Sequence, residues 1–134
     1  MKDLIWDNTL SVQVEEIDQD HQRLVELFNL LAHAVETGDA ADYIDALLEE
    51  LIACTVWHFR HEERLMVRHA YPGLDEHRAE HEELVASVKA LQEQRRGEGK
   101  GIGTADIEFL EHWLTGHILG LDMDLGAFLV DVTP

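Results

Sequence analysis

The sequence has little of what disulfide frameworks, membrane spans and nucleic-acid surfaces require. Its single cysteine, Cys54, cannot form an internal disulfide, and this favours a reducing compartment, the cytoplasm. No apolar run approaches the roughly 20 residues of a membrane-spanning helix, and the polar first residues lack the pattern of a signal peptide. Lys and Arg number only 10 against 28 Asp and Glu, and the net charge of -18 argues against nucleic acids and anionic membranes as partners.

Proline is also scarce, with two in the chain, and the turn-forming residues concentrate at 37–39, 71–73 and 97–103. The segments between these turns repeat apolar residues with a period near 3.6, which is typical of amphipathic helices, and they carry no alternating strand pattern. The sequence therefore predicts an irregular arm at 1–17, followed by four helices at about 18–37, 40–70, 75–96 and 104–128.

Several residues are expected to fix the helix ends and the arm. Asp18 and Thr104 are suited to cap the N-termini of the first and fourth helices, and Gly38 can end the first helix in the left-handed conformation. Apolar side chains are expected to hold the arm against the helices: Trp6, Leu10, Val12 and Val14.

The composition provides for one hydrophobic core. The chain has 134 residues, of which 46% are hydrophobic, and this is the usual size of a single domain, here 1–134. Short connections between long helices make sequential neighbours antiparallel. We therefore expect an all-α protein, built as an up-down-up-down antiparallel four-helix bundle.

Seven potential metal ligands occur in four groups, one on each predicted helix: His21; His58 and Glu62; His77 and His81; His117 and Asp122. The groups lie at the start of the first and third helices and in the later half of the second and fourth. Because consecutive helices alternate in direction, all four groups meet at the same end of the bundle. Seven such residues are enough for two metal ions and too many for one.

The spacing within the groups supports this convergence. Residues four apart share a helix face, as His58 does with Glu62 and His77 with His81. The fourth group differs, because a separation of five places its members about 140° apart on a regular α-helix. His117 and Asp122 share a face only if the helix loosens into a π-helix between them, which Gly120 would permit.

Each group alone has an ordinary interpretation: His21 could be a hydrogen-bonded core residue, and His58 with Glu62 could be a surface ion pair. Buried together without a metal, however, the seven side chains would leave many hydrogen bonds unmade, so their convergence favours a metal site. Imidazole and carboxylate ligands suit iron, manganese or zinc. Cys54 is interpreted as a small core residue in preference to a further ligand. No histidine follows a glutamate by three positions, unlike the Glu-x-x-His motif of ferritin-like bundles.

Longer motifs in the chain resemble those of bacterial hemerythrins. They are Trp6, Ser11-Val12, Ile17-Asp18 before His21, His58-Phe59-x-x-Glu62-Glu63, Tyr71-Pro72 before His77-x-x-x-His81, and Trp113-Leu114-x-x-His117-Ile118-x-x-x-Asp122. The resemblance covers nearly the whole chain, with two departures. Gln13 stands where glycine is common, and the segment 125–128 is less typical, which could alter how the last helix closes the site.

The resemblance implies a non-haem di-iron centre with an oxo or hydroxo bridge. It implies that one iron is bound by His77, His81 and His117 and the other by His21 and His58. Glu62 and Asp122 would bridge the two irons. Two octahedral ions need twelve bonds, and these residues with the bridging oxygen supply eleven. The position left open, on the iron with two histidines, is where dioxygen would bind reversibly as a peroxide.

The implied function is oxygen storage, delivery or sensing, without catalysis, and an unidentified oxygen-consuming protein would be the recipient of delivered oxygen. One alternative is a di-iron enzyme, acting as an oxidase or removing peroxide or nitric oxide, and another is a metal store or interaction module. Apolar residues are expected to keep the oxygen pocket dry: Leu24, Phe28, Leu51, Trp113 and Leu114. His33 and His112 are expected to be solvated, and His61 to lie beside the site or at the surface.

Overall fold

The computed structural model describes residues 3–132, which form four long helical stretches and, over this range, no strand. The stretches are α1 (Glu15–Thr37), α2 (Ala41–Arg68), α3 (Leu74–Glu98) and a fourth made of α4 (Thr104–His117), a π-helix (Ile118–Asp122) and α5 (Met123–Val132). The predicted all-α four-helix bundle is confirmed. Within 3–132 we find no helix long and apolar enough to cross a membrane.

The helices pack through their apolar faces. α1 contacts both α2 and α4, and α2 contacts α3. α3 and α4 are also in contact, so the four helices form a closed bundle. There the indole Nε1 of Trp113 donates a hydrogen bond of 2.9 Å to the carbonyl oxygen of Leu84. Loops of only a few residues join sequential helices, so each helix runs opposite to the one before it.

The buried apolar residues form two clusters, and the ligand-type residues lie between them. On α1, His21 separates Ile17 of the smaller cluster from Leu24 of the larger one. On the fourth stretch, Asp122 separates Leu125 from Ile118 in the same way. The polar residues are therefore enclosed by packed apolar layers above and below.

The first helix begins earlier than the sequence predicted, and its cap is a different residue. α1 starts at Glu15, three residues before the predicted start, and Val14 is its N-cap, in an extended conformation with no side-chain hydrogen bond. Asp18, predicted as the cap, lies in the first turn and reaches back to the arm. Its carboxylate accepts hydrogen bonds from the Ser11 hydroxyl (2.6 Å) and the Val12 N–H (2.8 Å).

The N-terminal arm is held against the bundle, as predicted, and it contacts α1. Leu4 and Asn29 exchange two hydrogen bonds of 2.9 Å between the Leu4 backbone and the Asn29 side-chain amide. The expected apolar contacts are present. Leu10 and Val12 are buried in the clusters, and Trp6 and Val14 are partly buried against them. Gln13 adopts a left-handed φ of 66°, which explains why glycine suits this position.

Of the remaining helix ends, Thr37 and Thr104 lie where predicted, and the others differ from the predictions by one to four residues. α2 is shorter than predicted at both ends, and α3 continues to Glu98 because Gly97 is tolerated inside a helix, whereas Gly99, at φ 67°, ends it. The N-cap of α4 is Gly103 and not Thr104, since the Asp106 carboxylate accepts the Gly103 N–H at 2.9 Å. α5 continues to residue 132, four beyond the predicted end, because no turn former intervenes. The left-handed C-cap at Gly38 is confirmed.

Candidate metal centre

The structure brings all seven predicted ligand residues together in the interior of the bundle. Each is at most 5% exposed: His21, His58, Glu62, His77, His81, His117 and Asp122. Their ring nitrogens and carboxylate oxygens form two groups that share both carboxylates, and within each group the atoms lie within 4.8 Å of one another. Each group could hold a metal ion, and the two groups adjoin.

The first group contains three histidines. His77 Nε2 lies 2.9 Å from Asp122 Oδ1 and 3.3 Å from Glu62 Oε1. His81 Nε2 lies 2.9 Å from the same glutamate oxygen, and His117 Nε2 lies 3.0 Å from the same aspartate oxygen. All three imidazoles therefore face one oxygen of each carboxylate.

The second group contains two histidines and the other oxygen of each carboxylate. His21 Nε2 lies 2.9 Å from Asp122 Oδ2, and His58 Nε2 lies 3.1 Å from Glu62 Oε2. Glu62 and Asp122 thus present one oxygen to each group, which is the geometry of bridging carboxylates.

These distances fit an octahedral metal environment. Neighbouring ligand atoms about 2.1 Å from an octahedral ion lie about 3.0 Å from one another, close to the separations above. Many of the same atoms are buried without a hydrogen bond despite their proximity, including Nε2 of His21, His58 and His77 and both oxygens of Asp122. Buried polar atoms are rarely left in this state, and metal ions at the two positions would satisfy them.

A π-helix places the last two predicted ligand residues, His117 and Asp122, on the same face. The segment Ile118–Asp122 is a π-helix, and Gly120 inside it departs from helical geometry with φ −97° and ψ −105°. The local loosening predicted from the spacing of His117 and Asp122 is confirmed. Such distortions occur frequently at functional sites.

The histidines and carboxylates of the cluster shift one another's pKa values. Burial disfavours the imidazolium of His117, but the charges and hydrogen bonds of Asp122 and Glu62 together outweigh it and raise the pKa of His117 to about 11. Burial likewise opposes protonation of His58 and His77, yet the neighbouring carboxylates raise the pKa of each to about 9. Burial alone would raise the pKa of Glu62, but His58 and the other imidazoles hold this pKa well below its usual value. The carboxylates stay anionic, and bound metal ions would replace the imidazole protons as their counter-charge.

Three carboxylates outside the cluster orient the ring nitrogens that face away from it. Asp20 lies 2.8 Å from His58 Nδ1, Glu63 lies 2.8 Å from His81 Nδ1, and Glu80 lies 3.1 Å from His117 Nδ1. An Nδ1–H that donates to a carboxylate leaves Nε2 as the ligand atom and increases its basicity. The sequence analysis did not identify these roles, although each carboxylate is adjacent in sequence to a predicted ligand.

A small apolar cavity adjoins the cluster, with room for about one water-sized molecule. Three of the five residues expected to line the oxygen pocket do so: Leu24, Trp113 and Leu114. Phe28 and Leu51 do not line it, although they belong to the same larger core cluster as the other three. Sequence analysis missed four further lining residues: Thr55, Phe59, Leu84 and Ile118.

The other histidines and the cysteine lie outside the cluster. His33 and His112 are exposed, as expected. His61 bonds the carboxylates of Asp20 (2.5 Å) and Glu16 (2.8 Å). Cys54, expected in the core, is only partly buried because it lies in the wall of a surface cleft beside Arg23, and burial raises the pKa of its thiol.

Comparisons with known proteins agree with this geometry. The family described as Hemerythrin HHE cation binding domain matches residues 12–129. A myohemerythrin of Riftia pachyptila is 34% identical over 88% of this chain and 87% of its own length. A bacteriohemerythrin of Stenotrophomonas maltophilia (strain R551-3) is 32% identical over 89% of this chain and 76% of its own. A crystal structure of wild-type hemerythrin superimposes with a TM-score of 0.85 at 27% identity, covering 92% of this chain and 95% of the other. The chain belongs to the hemerythrin family.

Proposed function

We propose that this chain holds two iron ions in the buried cluster and binds dioxygen reversibly. The observation that carries the proposal is the pair of ligand groups sharing two carboxylates beside a small apolar cavity. The relatives' names place the chain among hemerythrins, and the donor set of imidazoles and carboxylates suits iron.

The proposed ligands follow the two groups. One ion would be bound by His77, His81 and His117 and the other by His21 and His58. Glu62 and Asp122 would bridge the two ions. The ion held by His21 and His58 would have fewer protein ligands than the other and would be the one left with an open position. His21 and His58 both line the apolar cavity, whereas of the other three histidines only His117 does, so a small molecule in the cavity would lie beside the two-histidine ion.

When bound, a pair of Fe(II) ions would supply the two electrons that reversible dioxygen binding requires. The chain's own residues provide the surroundings. Leu24, Leu84 and Ile118 exclude water from the cavity. The hydroxyl of Thr55 donates its hydrogen to the carbonyl oxygen of Leu51 at 2.7 Å, so it is already engaged.

The cavity favours binding over catalysis. Of the described residues that line it, none carries a carboxylic acid that could protonate a bound oxygen molecule. A carboxylic acid in the cavity would assist cleavage of the O–O bond by donating a proton, so its absence from these residues favours binding over an oxidase or peroxide-consuming activity. Oxygen storage or delivery to an oxygen-consuming protein fits the site better. The cytoplasmic location stays a prediction from the sequence.

Iron analysis together with visible spectra tests the proposal. The purified protein should contain about two irons per chain, as the two ligand groups require. The anaerobically reduced protein should gain a visible absorption band in oxygen and lose it again under vacuum. Fewer than two irons would contradict the ligand assignment, and rapid oxidation with sustained oxygen consumption would support the enzyme alternative.

A further inference from the structure

A groove between α2 and α3 concentrates positive charge on a chain whose net charge is -18. Two adjoining hollows in this groove share Arg60 and Glu63 in their walls. Half of the chain's 10 cationic residues line them, and we refer to these five as the arginine groove: Arg60, Arg64, Arg68, Arg78 and Lys89. The acidic residues within it are Glu63 and Glu82.

Among the residues that the structure describes, three of these arginines have no counter-ion. Elsewhere, Arg95 and Arg96 pair with carboxylates at 2.7 and 2.8 Å, as expected in a chain with 28 acidic residues. Within residues 3–132, Arg60, Arg64 and Arg68 form no ion pair. Their charges are therefore free to act on an external anion.

The layout of the charges fits a broad acidic surface better than a small anion. Arg60, Arg64 and Arg68 follow one another at intervals of four, so they form a line about 12 Å long on one face of α2. A phosphate-sized ion would need donors that converge on one point, and these are spread. Val67, 60% exposed, lies among them and offers an apolar contact, as protein interfaces commonly contain.

The arginine groove also reaches a proposed iron ligand. Glu63, in the wall of both hollows, accepts a hydrogen bond from His81 Nδ1 at 2.8 Å and lies 3.5 Å from Arg78 Nε. His81 itself lines the second hollow. Its ring stacks on Phe59, with centroids 3.8 Å apart and planes inclined by 4°. A protein seated in the groove would be separated from the centre by little more than one side chain.

We propose that the arginine groove docks an acidic electron-carrier protein that keeps the centre reduced. The inference rests on the proposed function, because Fe(III) cannot supply the electrons for dioxygen binding. The carrier class is a protein with an anionic flavin hydroquinone, which loses one electron and no proton to become the neutral semiquinone. Two such carriers, each giving up one electron, would supply what two Fe(III) ions held in the cluster need to become Fe(II).

The test compares two double variants of the iron-loaded protein with the same loss of charge. Arg64→Gln with Arg68→Gln alters the groove, and Arg96→Gln with Lys100→Gln alters the opposite end of the bundle. The probe is an acidic flavodoxin. Its oxidised form, labelled with ¹⁵N, is titrated with each protein by NMR, and its hydroquinone reduces the ferric centre in a stopped-flow spectrometer at 0.15 M ionic strength.

We expect the groove variant to weaken flavodoxin binding and to lower the second-order rate constant about fivefold or more, while the control stays within about twofold. Reduction by dithionite should be equal in all three proteins. Equal effects of both double variants would overturn the proposal. So would selective binding of inorganic phosphate in the groove, or self-association of the wild-type protein that the groove variant abolishes. The NMR titration does not depend on iron, so a failure of the proposed function would appear separately, in the iron content and oxygen spectra.

Discussion

Asp122 follows His117 by five residues, yet its Oδ1 lies 3.0 Å from Nε2 of that histidine. On a regular α-helix the two side chains would diverge by about 140°. The π-helix Ile118–Asp122 absorbs the extra residue and turns the carboxylate into the cluster. Local backbone geometry thus decides whether the fourth helix contributes one ligand or two.

Asp122→Ala should remove a proposed bridge and with it much of the bound iron. Oxygens of this carboxylate lie within 3.0 Å of Nε2 of His21, His77 and His117, so both metal positions lose a ligand. We expect iron content to fall from about two per chain to below about one, because loss of the ligand weakens both positions. Asp124→Ala, an exposed change two residues further on, is the control and should retain full iron by metal analysis. Equal iron in both variants would refute the bridging role.

Asp20→Ala should weaken iron binding without removing a ligand. Its carboxylate accepts from Nδ1 of both His58 and His61, and loss of such a partner typically costs about 10- to 100-fold in metal affinity. Glu16→Ala removes only the other partner of His61 and should leave affinity within about twofold. Competition with an iron chelator under anaerobic conditions measures both. If the two variants release iron alike, the contact between Asp20 and His58 does not support the centre.

Most of the fold and all seven cluster residues could be predicted from the sequence, because both depend on spacing along helices. The period of 3.6 located the helices, and the alternating helix directions brought the ligand-type residues to one end. Asp18 could not be assigned correctly, because the choice between capping α1 and bonding Ser11 depends on the path of the arm. The cavity wall was only partly predictable, since Phe28 and Leu24 share a helix face and only packing distinguishes them.

The outer carboxylates show a further limit of sequence reasoning. Glu63 and Glu80 are neighbours of proposed ligands, but many acidic residues in this chain are neighbours of histidines. Only the crossing of helices determines that Glu80 reaches His117 on another helix. Acidic charge alone could not identify the carboxylates that contact these histidines, because the chain has 28 acidic residues.

Asp106 should give the metal-free protein a pH-dependent contribution to stability. Its bidentate pairing with Arg95, at 2.9 and 2.7 Å, and the Gly103 N–H lower the pKa of this carboxyl, although burial opposes the shift. A lowered folded pKa means that the stabilisation is present above the unfolded pKa of about 3.9 and is lost as the pH falls through the folded value. Asp106→Asn lacks this term at every pH.

The contribution of Asp106 to the free energy of unfolding can be measured by urea denaturation. The metal-free wild-type protein is compared with Asp106→Asn from pH 7 to pH 3. The difference in free energy of unfolding should be constant near neutral pH and shrink below about pH 4. Asp131→Asn, an exposed change on α5, should show no such trend. A difference between wild type and Asp106→Asn that grows as the pH falls would contradict the sign.

Gly126→Ala should loosen the N-terminal arm, because this glycine lets the arm approach α5. A Cβ added at Gly126 would lie 2.2 Å from the carbonyl oxygen of Val12 and 2.8 Å from its Cβ. The obstructing atom is backbone, so the clash is relieved only by moving the arm, which Asp18 and the smaller apolar cluster hold in place. This contact gives a structural reason for the unusual segment 125–128.

Overpacking of this kind costs about 1–3 kcal/mol, so the melting temperature of the metal-free Gly126→Ala protein should fall by several degrees. Gly116→Ala is a matched control in α4, because a Cβ there meets no atom within 4 Å. That change should stabilise the protein by about 0.5–1 kcal/mol, since alanine loses less entropy in a helix. Opposite shifts in the two variants, read by calorimetry, would assign the loss to the contact with Val12. A fall of similar size in both would mean that helical glycine itself, and not the approach of the arm, stabilises this stretch.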